Sequence, residues 1–425
     1  MIGFDIHALA TDLWPIDRSI TGEGLRKTLQ HIKNYLPNLE LKSVPSGANV
    51  FDWIIPKEWA VNEAYIITPT GEKICDFSKN NLHLLGYSVP FKGKMSFEKL
   101  KKHLYTLPDQ PNAIPYVTSY YEARWGFCLT QEQFDKLEEG TYFIYVDTKL
   151  FDGFLDFAEL LIKGKSDKEI FLSTYVCHPS MANNELSGPT VLTFLAKWIS
   201  DLENPDYSYR IVFIPETIGS IAYLSLYHKE MKNNIFAGFN ISCVGDNRSY
   251  SYLPSRNGDT ISDRVAKHVL AWTDSNYKSY SWLDRGSDER QYCAPGIDLP
   301  IASIMRTMFG EYSEYHTSLD DLKNVVTPEG LDGGYWAIRR AIEALEKNKK
   351  YKLTILCEPQ MGKRGLYPTL STKVINEELN LMMNFISLCD GEKSLLEIAE
   401  ILEVPIWNLY DLVQKLIKED IISEV

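Results

Sequence analysis

Two histidines and several carboxylates occupy positions where short apolar runs of the chain end. His178 follows the run EIFLSTYV, Glu216 follows YRIVFIP, Asp246 follows FNISCVG, and His316 lies in the loop GEYSEYHTSLDDL. Imidazole nitrogens and carboxylate oxygens suit zinc, and a coordination position left open for water makes such a site catalytic. If the apolar runs are strands of one sheet, their ends bring these side chains together. The sequence therefore predicts a metal centre.

The apolar runs themselves indicate a mostly parallel sheet covered by helices. From about residue 152 onward, strand-like runs alternate with helix-like segments such as GPTVLTFLAKWISDL. Because parallel strands need crossover connections, this alternation predicts an α/β fold with helices on both faces of the sheet. Near the N terminus, GEGLRKTLQHIKNYL places Leu25, Leu29, Ile32 and Leu36 on one face of a predicted helix.

Changes in composition and apolar pattern along the chain predict three domains. Residues 46–150 are β-rich and interrupted by prolines, and TGEK within them has the pattern of a hairpin turn. We expect a main α/β domain formed by residues 1–45 and 151–360, and an inserted small β-rich domain of residues 46–150 that covers part of the predicted pocket. A linker and a winged-helix domain are expected to occupy residues 361–425.

The last fifty residues predict an almost wholly helical segment in which DGEKS separates two helices. Ser394 and Glu397 have the spacing of a capping box, and the apolar faces that follow resemble a winged helix. Residues 376–425 hold 3 lysines and 11 acidic residues, a balance of −8. Because phosphate contacts require cationic charge, we expect a protein partner for this domain rather than nucleic acid.

The whole-chain composition excludes several classes of protein. The formal charge of −13 over 425 residues argues against a general nucleic-acid or anionic-membrane binder. Seven scattered cysteines without a CxxC pair indicate reduced thiols. The N-terminal stretch has no signal-peptide pattern, and no apolar run approaches a membrane span. We therefore expect a cytoplasmic protein without a membrane segment.

The ordered motifs resemble a known family. From about residue 152 to 345 the chain is similar to the zinc-dependent exopeptidases of the bacterial leucyl aminopeptidase type, whose clan includes the glutaminyl cyclases. The closer resemblance is to a bacterial aminopeptidase-like family with an inserted β domain and a C-terminal winged helix. The stretches that carry it are RSITGEGLRKTL, CHPSMANNELSGP, PETIGS, GSDERQYCAPGIDLP, EYHTSLDDL and EPQMGKRGLYPT.

The resemblance implies roles for individual residues. Glu216 would be the catalytic base, and one or two zinc ions would be held by His178, Glu185, Asp246 and His316. Apart from the resemblance, we expect substrate contacts from Asp288 at the pocket rim, where a carboxylate can hold a substrate ammonium group, from Arg306, which can bind a carboxylate, and from Tyr315.

Each of these roles has an ordinary structural alternative. Glu185 is also a favourable first-turn residue beside a helix macrodipole. Asp246 suits a turn, and His316 suits a hydrogen-bonded loop. Asp288 belongs to a charged stretch that fits a surface loop, and Arg306 is compatible with a structural salt bridge.

Three departures from the clan pattern bear on the metal count. Ser180 stands where the clan has an aspartate that orients the first histidine, and Asn184 stands where an aspartate bridges two metals. Thr217 follows Glu216 where the clan has a second glutamate. One ion, or a rearranged pair, fits these ligands better than the usual two-metal centre.

The prediction is a metal-dependent hydrolase, a zinc aminopeptidase that cleaves an amide or peptide bond of a small substrate. The first alternative is amide or acyl chemistry on a sugar derivative in polysaccharide biosynthesis, with which the resembling group is associated. The second is a non-catalytic binding or regulatory protein on a degenerate peptidase fold. A comparison of aminoacyl amides with N-acyl amino sugars separates the first two, and metal content separates both from the third.

Overall fold

A computed structural model describes residues 1–366 and 373–425. The described chain forms two compact units, residues 1–263 with 276–336, and residues 264–275 with 337–425. Residues 367–372, which include the end of EPQMGKRGLYPT and part of the predicted linker, lie outside the described ranges. The domain boundaries taken from the sequence stay a prediction. Within the described ranges, no helix combines the length and apolar character needed to cross a membrane.

The first unit is built on an eight-stranded sheet with the spatial order β1-β2-β4-β3-β5-β8-β6-β7. Its four central strands, β4, β3, β5 and β8, pair in parallel, while β1 pairs antiparallel with β2, β2 with β4, and β6 with β8. The mostly parallel α/β sheet predicted from the sequence is confirmed. The strands are Glu40–Pro45 (β1), Phe154–Ile162 (β2), Glu169–Tyr175 (β3), Ser208–Ile214 (β4), Ile235–Asn240 (β5), Ser251–Leu253 (β6), Lys278–Ser279 (β7) and Ile301–Met305 (β8).

Strands β3 and β4 are buried along their whole length, which explains their continuous apolar and β-branched sequences. Their parallel register runs from Glu169 opposite Ser208 to Tyr175 opposite Ile214. Because the two strands end side by side, the residues that follow them emerge at the same edge of the sheet.

Helices alternate with the strands of this sheet along the chain. The helix Glu23–Tyr35 buries Leu25, Leu29 and Ile32, as its apolar spacing predicts. The other long helices are Gly3–Leu13, Ser187–Ser200, Ile218–Asn234, Ile261–Thr273 and Pro328–Lys347, and short ones are Phe97–Leu100, Gln131–Phe134 and Glu289–Tyr292.

Residues 46–150 contribute most of a separate four-stranded antiparallel sheet. The predicted TGEK hairpin is confirmed, since Lys73 pairs with Ile67 across this turn. The strands of this sheet are Glu58–Ile67, Lys73–Ile74, Phe91–Ser96 and Thr141–Phe151. Two small ladders pair Asn49–Val50 with Trp53–Ile54 and Leu104–Tyr105 with Phe127–Cys128.

The C-terminal unit contains more strand than the sequence predicted. Its helices are Lys373–Leu388, Leu395–Ile401 and Tyr410–Lys418, and its three-stranded sheet is formed by Lys350–Leu353, Asp390–Ser394 and Ile422–Glu424. The DGEKS stretch, predicted to be a connection, is the strand Asp390–Ser394, which pairs with Lys350–Leu353. Its short polar sequence has no apolar alternation, and its partner lies about forty residues earlier, so local sequence did not show it. The capping box of Ser394 and Glu397 is confirmed.

Gly188 allows the helix Ser187–Ser200 to approach the sheet closely. A Cβ atom at this position would lie 2.4 Å from Thr174 Oγ1 and 2.6 Å from the carbonyl oxygen of Ile241. Both neighbours are fixed, because the Thr174 hydroxyl donates a hydrogen bond to that same carbonyl. The SG dipeptide of the motif is thus explained by packing.

We expect Gly188→Ala to lower the free energy of unfolding by about 2 kcal/mol, because the added methyl group forces the helix away from β3. Urea denaturation measures the change. Gly362→Ala is the matched control, since a Cβ there meets no atom within 4 Å. Equal stability of the two variants would show that the helix does not lie this close to the sheet.

Candidate active site

The ends of β3 and β4 deliver His178 and Glu216 to one pocket. The Nε2 atom of His178 lies 3.6 Å from Oε2 of Glu216. The pocket has a volume of about 460 Å³, and His316 lines it together with these two side chains. This size is within the usual range for small-molecule sites. Three of the predicted site residues, His178, Glu216 and His316, therefore line the same cavity.

A buried carboxylate and a buried guanidinium orient His178. The Nδ1 atom of His178 lies 3.0 Å from Oε2 of Glu185, and the Arg18 Nε lies 3.6 Å from the other oxygen of Glu185. Arg18 also donates a hydrogen bond from Nε to the carbonyl oxygen of His178, at 3.1 Å. With Nδ1 engaged by a carboxylate, the Nε2 atom is left to face the pocket.

Glu185 has charged partners within the protein. Its two oxygens face His178 and Arg18, and the metal ligation predicted for it stays a prediction. It supplies the orienting carboxylate that the motif lacks at Ser180. The sequence alone assigns no role to Arg18, because no local pattern shows that this residue contacts the carbonyl oxygen of His178.

The charges beside His178 control its protonation. Burial favours the neutral imidazole, but Cys177 and Glu185 outweigh burial and raise the pKa of His178 well above its ordinary value. The Cys177 thiol is itself buried, which raises its pKa to about 11. A thiol that stays protonated is a poor nucleophile. Cys177 instead accepts a hydrogen bond from the backbone N–H of Glu216, at 3.2 Å, and has a structural role.

His316 presents a neutral imidazole to the same pocket. Its ring stacks on Tyr315 at 3.9 Å between centroids, and its centroid lies 5.2 Å from that of Tyr116 and 5.6 Å from that of His178. Burial, together with the nearby charge of His178, lowers the pKa of His316 to about 3. In the described part of the chain, neither ring nitrogen has a hydrogen-bond partner. The residue thus offers an uncharged donor that the protein does not use internally.

Four non-glycine residues that follow strand ends or lie in the His316 loop have positive φ, and two of them, Thr217 and His316, line the pocket. The values are 42° for Ser180, 63° for Thr217, 51° for Cys243 and 56° for His316. Such conformations are uncommon for residues with a Cβ, and they concentrate at functional sites, where the surrounding structure maintains them. Three of the four residues follow the ends of β3, β4 and β5. The strained backbone conformations therefore lie at the same edge of the sheet as the pocket.

Asp246 lies in a neighbouring polar cluster and is absent from the residues that line the pocket. Its carboxylate accepts hydrogen bonds from the backbone N–H and hydroxyl of Thr307, from the Asn183 amide and from the backbone N–H of Arg248. With donors on both oxygens, Asp246 connects the loop after β5 to the loop after β8. The predicted metal ligation by Asp246 gains no support from this geometry.

Asp320 has a positioning role that the sequence did not reveal. Its carboxylate accepts hydrogen bonds from the backbone N–H groups of Asn183, at 2.7 Å, and Asn184, at 2.9 Å. These N–H groups belong to the helical turn Ala182–Leu186, which carries Glu185. Burial raises the pKa of Asp320 to about 6. The two adjacent aspartates of SLDDL indicate a polar role for this loop. The local sequence does not show which of them contacts the turn that carries Glu185.

Asp288 supports the turn beside Glu216 from beneath the pocket. It is fully buried and accepts hydrogen bonds from the backbone N–H of Thr217, at 2.7 Å, and from the Ser220 hydroxyl, at 2.8 Å. Burial, together with the nearby charge of Glu216, raises the pKa of Asp288 to about 8. It does not line the pocket, in contrast to the rim position expected for a substrate contact.

Arg306 and Tyr315 also lie behind the pocket wall. The Arg306 guanidinium is 3.9 Å from the centroid of the Tyr250 ring, and it donates a hydrogen bond to the side chain of Asn247. Tyr315 contacts the site by stacking on His316. Neither side chain lines the pocket, so their predicted substrate contacts stay predictions.

Aromatic residues from 46–150 form one wall of the pocket, as expected from their predicted covering position. Trp53, Tyr116, Tyr120 and Tyr121 line it. The hydroxyl groups of Tyr116 and Tyr120 form a hydrogen bond with each other at 2.6 Å. These aromatic contributors were not identified from the sequence, because the insertion contains many aromatic residues and its fold decides which of them face the site.

Two sides of His178 differ in their capacity for a metal ion. Within the described residues, the donor atoms of Cys177, His178 and Glu185 lie within 4.8 Å of one another. A cation there would face the Arg18 guanidinium, which already pairs with Glu185 at 3.6 Å, so this side fits zinc less well. The pocket side fits one ion better, because His178 Nε2 is oriented and the ring of His316 is neutral. Binding of an ion there would displace the Nε2 proton of His178, since a metal binds the neutral imidazole.

The comparisons with known proteins identify the family and the fold of this chain. Residues 7–348 match the family model described as a domain of unknown function, DUF4910, and residues 349–424 match a winged helix-turn-helix model. The chain belongs to the DUF4910 family. The resemblance read from the motifs is confirmed, including the C-terminal winged helix.

Relatives place this DUF4910 chain among aminopeptidase-like folds. A Clostridium acetobutylicum protein provisionally named for polysaccharide biosynthesis and an aminopeptidase-like domain is 43% identical over 401 residues, which cover 93% of this chain and 91% of that protein. A crystal structure from the same species, provisionally named a peptidase, has 40% identity and a TM-score of 0.93, covering 100% of this chain and 96% of the other. A zinc aminopeptidase from Bacillus subtilis has 12% identity, a TM-score of 0.60, and coverage of 81% and 95%, and shares the fold alone.

We expect Arg18→Met to lower the free energy of unfolding by about 3–5 kcal/mol, because Glu185 would stay buried without its cation. Urea denaturation measures the loss, and Arg18→Met combined with Glu185→Gln should recover part of it. Arg256→Met is the control, since the Arg256–Asp298 pair is exposed and should contribute less than about 1 kcal/mol. Equal losses in both arginine variants would contradict the buried network.

Proposed function

We propose that this chain is a zinc-dependent hydrolase that cleaves an amide or peptide bond. The observation that carries the proposal is the convergence of two imidazoles and one carboxylate on a single pocket at the strand ends of an aminopeptidase-like fold. Glu216 is the only carboxylate among the described residues that line this pocket.

His178 and His316 would hold the ion. Zinc bound at such a site acts as a Lewis acid that polarises a carbonyl and lowers the pKa of water. The chain's own contribution is to present both imidazoles correctly, through Glu185 on His178 Nδ1 and through the Tyr315 ring stacked on His316. Catalytic zinc sites commonly have three protein ligands, so a site with two imidazoles should bind one ion with modest affinity.

Glu216 would move the proton. Its carboxylate would accept a proton from the attacking water and return it to the leaving nitrogen when the amide bond breaks. The turn that carries it is fixed on both sides, because its backbone N–H is bonded to Cys177 and the next N–H is bonded to Asp288. This rigidity keeps the carboxylate beside Nε2 of His178.

A second candidate substrate follows from the name of the Clostridium relative, which refers to polysaccharide biosynthesis. In that case the amide bond would belong to an N-acyl amino sugar, and the same residues would perform the hydrolysis. A screen that compares aminoacyl amides with N-acyl amino sugars distinguishes the two substrate classes.

We expect Glu216→Gln to reduce amide hydrolysis by roughly 10²- to 10⁴-fold while bound zinc is retained, because the amide cannot take the proton. Hydrolysis is followed by mass spectrometry with the substrate found in the screen, and zinc by elemental analysis. Glu311→Gln, an exposed glutamate of the loop before His316, is the control. Undiminished hydrolysis by the Glu216→Gln variant would show that Glu216 is not the general base.

We expect the wild-type chain to retain up to one zinc ion after incubation with zinc and desalting, and His316→Ala to retain much less. The reason is the loss of the neutral imidazole from a site with few ligands. His31→Ala is the control, because His31 lies on the helix Glu23–Tyr35 away from the pocket lining. Zinc binding that is equal in all three proteins, or absent from the wild type, would contradict the site.

A further inference from the structure

We propose that the pocket selects an electrically uncharged N-acyl amide and excludes substrates with a free α-ammonium group beside the scissile bond. The inference rests on the proposed function, because it names the substrate class of that same site. It departs from what the word aminopeptidase implies, since an aminopeptidase binds a charged N terminus.

The described lining of the pocket offers a single carboxylate, which the proposed function already uses as the base. That carboxylate is Glu216, whose Oε2 atom lies 3.6 Å from His178 Nε2. Asp288, which the sequence placed at the rim for this purpose, is turned away. One of its oxygens accepts hydrogen bonds from Thr217 and Ser220, and the other is fully buried without a partner in the described structure.

A positive charge lies behind the wall in place of a negative one. The Arg290 guanidinium donates a hydrogen bond to the Thr217 hydroxyl at 2.9 Å, and Thr217 lines the pocket. Thr217 itself is uncharged, so the charge that this contact brings to the wall is positive. An ammonium group that leaves water without gaining a counter-charge loses its hydration and receives no compensation.

The remaining lining suits an apolar or flat group. Trp53 and Tyr121 lie with their ring centroids 5.7 Å apart in an edge-to-face arrangement, and 38% and 59% of their surfaces are exposed. The hydroxyls of Tyr116 and Tyr120 are bonded to each other, so each already has one partner within the wall. Aromatic walls of this kind bury a large apolar area of a ligand. Their attraction for cations is weaker than a carboxylate's, and Arg290 opposes it.

Two small ligands that differ only at the amine test the inference on the full-length wild-type protein. N-acetyl-L-tyrosinamide is uncharged, whereas L-tyrosinamide carries an ammonium group at a pH of about 6, below the ordinary pKa of an α-amino group. Isothermal titration calorimetry gives both dissociation constants, and mass spectrometry of the recovered ligand records any hydrolysis. We expect the acetylated ligand to bind at least about tenfold tighter, which corresponds to about 1.4 kcal/mol.

Two variants of equal surface exposure locate the binding. Tyr121→Ala should weaken binding of N-acetyl-L-tyrosinamide about fivefold through the loss of ring contact. Phe4→Ala should leave it unchanged, because Phe4 is also 59% exposed but does not line the pocket. Thermal melts that match the wild type establish that both variants are folded, and equal binding by the two variants would overturn the assignment to this pocket.

The outcomes separate this inference from the proposed function. Tighter or equal binding of L-tyrosinamide overturns the inference, and so does an absence of binding by both ligands. If L-tyrosinamide binds more tightly and is hydrolysed, the hydrolase proposal stands and the proposed selectivity for an uncharged substrate is wrong. A different result is that the acetylated ligand binds more tightly while neither it nor any amide of the screen is hydrolysed. That result would support the selectivity for an uncharged ligand and contradict the hydrolase proposal.

Discussion

The buried guanidinium of Arg18 is the constraint on which the site depends. It neutralises Glu185, and it also binds the backbone carbonyl of His178, so one side chain fixes both the carboxylate and the histidine. Without this cation, the buried Glu185 carboxylate would have no counter-charge from Arg18, and the contact that directs Nε2 of His178 outward would lose its support. The geometry of the pocket is therefore set from beneath by residues that no substrate touches.

The sheet supplies the second level of organisation. The common register of β3 and β4 places His178 and Glu216 at one edge, and Gly188 lets the following helix lie against that edge. Positive φ values at Thr217 and His316 show that the backbone is held in unfavourable conformations at this place. Packing and hydrogen bonds around the strand ends maintain those conformations, which is the usual arrangement where a fold positions reactive groups.

The sequence was informative where its signals are local and periodic. Alternating strands and helices predicted the parallel sheet, and strand-end positions correctly brought His178, Glu216 and His316 to one cavity. It was less informative where a role depends on distant partners. Glu185 has the same local sequence whether it binds a metal or an arginine, and Arg18 lies 160 residues from the histidine carbonyl that it binds. Such pairings are decided by tertiary packing, which no short motif records.

One backbone connection has a consequence for how this protein can vary. The N–H of Tyr116 donates to the carbonyl of His316, and the N–H of Ser318 donates to the carbonyl of Ile114, so a segment of the insertion and the histidine loop form a short ladder. Deleting residues 114–116 would leave these groups of the loop unsatisfied and the histidine unsupported. These three residues are therefore structural supports of the His316 loop, and descendants of this chain cannot lose them without another support for His316.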